Sequence, residues 1–161
     1  MAQHYYVPLV IAQDYKSDYI RRILRVQSEV EFLQKLEDWL AENNPEWTWM
    51  FSKLDEITDS VHIPYYDNEN NSLRNFKPDF VFWLCRANQY RIFFVNPKSA
   101  TFTNAYGKAD GYEALFANKR FSHGRIKDIE IKMAFFTENK EKTPAEKYRR
   151  YWIDTPEAIF A

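Results

Sequence analysis

Glycine is scarce. Three residues in 161 leave few positions free to adopt left-handed backbone, so tight turns of that kind must be rare or built from other residues. The single cysteine, Cys85, excludes an intramolecular disulfide framework and fits a reducing cytosol. No apolar run is long enough to cross a bilayer, and no segment has the charged-then-apolar pattern of a signal peptide. A cytoplasmic protein without a membrane partner is therefore expected. The net charge of −1 excludes a global pull toward nucleic acid, so any such contact must come from local basic clusters. There is no glycine-rich phosphate loop ending in Lys-Ser/Thr, hence no ATPase motor in these residues. His62 has no second His or Cys at a metal-ligand spacing and reads as structural.

What the chain does contain is apolar and aromatic: 45% hydrophobic and 18% aromatic, the composition of a folded core. The length suits one domain spanning residues 1–161. His4–Ala12 reads as extended, with Pro8 favouring an edge; so abrupt a start reads equally as the beginning of a protein and as a domain cut from a longer one. Ser28 and Glu31 form a capping-box pattern that opens a helix running to about Glu42. Leu33, Leu36 and Leu40 make its apolar face; Glu29 lies on the same stripe, whereas Glu31 belongs to the polar side. Asn43-Asn44-Pro45 ends it. Trp47–Phe51 reads as extended, Val61–Tyr66 as a strand and Asp67–Asn71 as a turn. A helix is expected from about Tyr106 to Asn118 and another strand at Ile129–Phe136, with Tyr151-Trp152-Ile153 packing back on the domain. Arg21, Arg22 and Arg25, like the mixed-sign run Lys140–Arg150, read either as solvated surface or as phosphate contacts.

The most informative stretch is Phe76–Lys98. Its two aromatic and β-branched runs, Lys77–Cys85 and Tyr90–Pro97, predict an antiparallel hairpin around Arg86-Ala-Asn-Gln89. Alternation puts Asp79 on one face with Val81 and Trp83, and Asn96 and Lys98 on one face with Ile92 and Phe94. Polar groups at the ends of such apolar runs converge at one edge of a sheet, where burial without partners would be costly.

Pro78-Asp79, followed after sixteen residues by Asn96-Pro97-Lys98, resembles the PD-(D/E)xK nuclease signature. The wider blocks FSKLDE (51–56), IPYYD (63–67), FKPDFVFWL (76–84), YRIFFVNPKSA (90–100) and KADGYEALF (108–116) resemble the C-terminal endonuclease domain of type III restriction enzymes and related helicase–nuclease proteins. The resemblance implies an α/β fold, a restriction-endonuclease-like mixed sheet flanked by helices. It implies hydrolysis of DNA phosphodiester bonds with Mg²⁺, or Mn²⁺ in its place, held by Asp79, the residue at 96 and Glu29 from the first helix. Lys98 would be the catalytic lysine, and Lys108, Lys119 and Arg120 candidates to face double-stranded DNA. The family carries an acid where this chain has Asn96, and glycine commonly where it has Ser99. An amide in place of a carboxylate implies an impaired or inactive enzyme, or a module that binds DNA or a partner without chemistry. A helicase/ATPase region, a modification subunit and a second copy of the domain are the partners the resemblance suggests.

Overall fold

The computed structural model describes His4, Val10–Ile11, Ile23–Leu24 and residues 26–55, 59–97, 103–137 and 144–161. Two short strands, β1 (Val10–Ile11) and β2 (Ile23–Leu24), pair in parallel. Helix α1 (Gln27–Glu42) follows, then β3 (Thr48–Lys53) and a separate hairpin of β4 (Ile63–Asp67) and β5 (Ser72–Phe76). The predicted central hairpin is β6 (Phe80–Arg86) and β7 (Gln89–Pro97). Helix α2 (Thr103–Leu115), β8 (Arg120–His123) and β9 (Ile126–Phe136) come next. A 3-10 turn (Glu146–Tyr151), β10 (Trp152–Ile153) and α3 (Glu157–Phe160) end the chain.

The main sheet is mixed α/β architecture curled into half a barrel, with strand order β10-β9-β7-β6-β3 and β8 on the β9 edge. β6 runs antiparallel to both of its neighbours, β3 and β7, whereas β9 lies parallel to β7, reached through the crossover helix α2. Alternation sorts the side chains into two cores. Phe51, Phe80, Phe82, Phe93, Val95 and Phe136 face α1 and the C-terminal α3; Val81, Phe94, Met133 and Phe135 face α2 and the β4–β5 hairpin. On the first face Phe32, Leu33 and Leu36 of α1 are fully buried, the helical spacing meeting a sheet of aromatic rings. Phe32 stacks edgewise at 5.1 Å from Phe136 and tilts 5.3 Å from Phe80. The C-terminus is held there too: Trp47 Nε1 donates to the Phe160 carbonyl at 2.8 Å.

The capping box is not formed. The helix begins at Gln27, and its N-cap is Val26, two residues before Ser28, with no side-chain cap; the Val26 carbonyl accepts from the amides of Glu29 and Val30, and Glu31 accepts from Gln27 Nε2 at 3.1 Å. Once Gln27 is helical, Ser28 sits inside the first turn and cannot cap it. The β5 and β8 strands were not expected; both are short and mostly solvent-facing. Scarce glycine has the consequence anticipated: only Gly124 of the three takes positive φ, and Asn71, Ala87, Asn118 and Asp128 fill other left-handed positions. Among the described residues no helix is long and apolar enough to cross a membrane. His62 is exposed, with its ring nitrogen 2.9 Å from the Ser60 carbonyl.

Candidate functional site

The hairpin register sets Phe80 opposite Val95, so Asp79, immediately before β6, falls opposite Asn96. The Leu54 amide donates to the Asp79 carbonyl at 2.7 Å, carrying the β3–β6 ladder one residue past Lys53–Phe80. Alternation then puts Asp79 and Asn96 on the α2 face, with Leu54, Val81 and Phe94. Asn96 is only 3% exposed, and its Oδ1 is buried with no hydrogen-bond partner among the described residues. An acceptor left in that condition is costly and usually finds water or a ligand. Lys98 and Ser99 lie outside the described residues, as do Arg21, Arg22, Arg25 and Lys140–Lys142.

Glu29 is buried, as its place on the apolar stripe of α1 requires, but it stands on the other face of the sheet. Its Oε1 accepts from Lys53 Nζ at 2.6 Å, and that ammonium lies 5.6 Å from the centre of the Phe80 ring. Lys53 and Phe80 share the α1 face. Thus Asp79 and Asn96 are brought together, and Glu29 is separated from them by the sheet. Among the described residues no group of three or more His, Cys, Asp or Glu side chains is arranged to hold a metal ion.

The three candidate DNA contacts divide between the two ends of the sheet. Lys108 extends from α2 over the Phe76 ring at 5.1 Å, at the sheet end that carries Asp79. Lys119 and Arg120 follow α2 at the opposite end; Lys119 donates to the Ala114 carbonyl at 2.7 Å, and Arg120 stands 3.9 Å from Glu130. Over its seven residues β6 separates the two ends by about 20 Å, at roughly 3.3 Å per residue. Two of the tail cations are engaged: Lys147 pairs with Asp110 and Arg150 with Glu113, both on α2.

One charged constellation escaped sequence reasoning. Arg91 is buried beside Trp47 and donates from Nε to Glu130 at 2.9 Å. Its parallel-strand partner lies thirty-nine residues away, beyond any local pattern. Only an arginine in an otherwise apolar strand hinted at it.

No curated protein and no solved structure matches the chain. A family model does match, over residues 22–141, about three quarters of the length, and the chain belongs to the YagJ family.

Proposed function

We propose that this protein is a DNA endonuclease domain of the PD-(D/E)xK type, of type III restriction character, held in an impaired state by Asn96. The observation that carries this reading is the register: Pro78-Asp79 and Asn96 lie opposite one another at the ends of adjacent antiparallel strands. That juxtaposition sits in a mixed sheet with α1 on one face and α2, the crossover helix after β7, on the other, which supports a restriction-endonuclease-like reading.

A divalent cation fits this place in part. Asp79 offers a carboxylate, and the orphaned Asn96 Oδ1 offers a neutral oxygen, both hard donors suited to Mg²⁺ or Mn²⁺ with water completing the shell. When bound, such an ion supplies an acidified water and offsets phosphate charge. Lys98, two residues beyond Asn96 in sequence, is the lysine that would steady developing negative charge, and Lys108 the auxiliary cation from α2. Exchanging a carboxylate for an amide removes a charge from the cage; losses of comparable electrostatic groups lower rates by about 10²–10³.

A second reading has its own support. With Glu29 neutralised by Lys53 on the far face, Asp79 is the sole carboxylate of the three candidate positions on the Asn96 side. So weak an anionic cage beside lysines suits gripping double-stranded DNA, or docking on a helicase or modification subunit, without turnover. Plasmid cleavage with Mg²⁺ and Mn²⁺ separates the two. The endonuclease reading expects the native chain to cut weakly or not at all and Asn96→Asp to cut. DNA binding by both proteins with cleavage by neither would favour the binding module.

A further inference from the structure

We propose that Arg120 and Lys132, with Arg91 behind them, form a phosphate-binding site at the sheet end remote from Asp79 and Asn96. Two adjoining cavities, of about 410 and 570 Å³, share Arg120 and Glu130 in their walls. Together their linings carry six cationic side chains against two carboxylates, Asp128 and Glu130, in a chain whose net charge is −1. Arg86 and Arg150 are balanced outside the cavities by Glu46 and Glu113. The excess therefore resides around Glu130.

The geometry at Glu130 is that of one anion serving three cations. Arg91 Nε donates to Oε2 at 2.9 Å, whereas Lys132 Nζ and an Arg120 terminal nitrogen each stand 3.9 Å from a carboxylate oxygen, beyond hydrogen-bond range. Among the described residues neither Arg120 nor Lys132 has a hydrogen-bond acceptor. Both are reachable, with side chains 59% and 38% exposed, while Arg91 is almost enclosed. Burial first, and then the Arg91 guanidinium, push the Lys132 ammonium below its ordinary range, with Glu130 acting in the opposite direction. A phosphate group answers this deficit: its oxygens can meet the planar fork of Arg120 and the ammonium of Lys132 at once, and Lys119 lines the same cavity.

On the nucleic-acid reading above, on which this source rests, the group is a backbone phosphate. A free phosphate ester offers the same chemistry. Two measurements on the full chain distinguish them: anisotropy of a labelled DNA duplex over a salt series, and thermal shift with inorganic phosphate or a nucleoside monophosphate. For the backbone source, Arg120→Gln/Lys132→Gln is expected to weaken duplex binding roughly tenfold at low salt. The slope of log affinity against log salt should become shallower by about 2. Glu130→Gln, which removes the internal competitor, should tighten binding several-fold. If the native chain ignores duplex but is stabilised by phosphate, and the double variant is not, the site stands as a small-ester site and the nucleic-acid reading fails. Duplex binding equal in both proteins, with no phosphate-induced shift that depends on Arg120 and Lys132, would overturn the site and leave the nucleic-acid reading intact.

Discussion

Glu29 shows how one residue can satisfy a pattern and serve a different purpose. It lies on the buried stripe of α1, and the family resemblance made it a metal ligand, yet its carboxylate accepts from Lys53 at 2.6 Å, and both side chains are largely enclosed. Breaking a largely buried ion pair by removing one partner costs up to about 3–5 kcal/mol. Glu29→Ala should therefore lower the midpoint of chemical denaturation markedly, with Glu29→Ala/Lys53→Met recovering much of the loss. A Glu29→Ala protein as stable as the native one would remove the structural role. Tyr112 offers a second residue-scale test. Burial beside Tyr151, with its hydroxyl donating to the Ile131 carbonyl at 2.8 Å, pushes its phenol up to about 12. The folded value exceeds the ordinary 10.0, so the fold favours the protonated phenol. The associated stability is complete below pH 10 and is lost as pH climbs toward 12. In Tyr112→Phe, stability should fall less steeply across that interval in alkaline denaturation; an unchanged slope would contradict the assignment.

Among the elements, α2 is the one whose packing depends most on what it lacks. It has no stripe of large apolar residues; it meets β4 through Gly107 and Gly111, one turn apart. A Cβ on Gly111 would lie 2.4 Å from the Pro64 carbonyl oxygen, and one on Gly107 would lie 2.7 Å from that of Tyr66. Both obstacles are backbone and cannot swing aside. Alanine normally favours a helix by up to about 1 kcal/mol over glycine. At Gly111 that gain is outweighed by overpacking, so Gly111→Ala should destabilise by a net of about 1–3 kcal/mol. A rise in melting temperature would show that the helix and hairpin are not in this contact. Because α2 also carries Lys108, a displaced helix would move that lysine away from the Asp79 end of the sheet.

For the molecule as a whole, what could be read in advance followed from local chemistry. The β6–β7 hairpin was legible because two aromatic, β-branched runs flank a short polar turn. Helix α1 was legible from the spacing of Leu33 and Leu36. The β5 strand escaped because it is polar and mostly exposed, with Leu73 79% exposed, and its partner is a separate hairpin rather than the main sheet. Strand β8 escaped likewise, and the helix start was misplaced because backbone groups of Val26 cap it without a side-chain signal. The pairing of Asp79 with Asn96 could be inferred from hairpin alternation alone. Which face of the sheet receives Glu29 could not, since periodicity reports that a side chain is buried and not against what. The same limit hid the Arg91–Glu130 pair.

The division between the two faces makes the functional claim sharp: Asp79 and position 96 belong to one site, and Glu29 does not. Electron paramagnetic resonance of free Mn²⁺ tests this directly, by titrating the native chain, Asn96→Asp, and Asn96→Asp combined with either Asp79→Ala or Glu29→Gln. The expected result is a clear gain of Mn²⁺ affinity in Asn96→Asp, abolished by Asp79→Ala and retained in Glu29→Gln. Affinity in Asn96→Asp that matches the native chain, or that survives Asp79→Ala and disappears with Glu29→Gln, would contradict it.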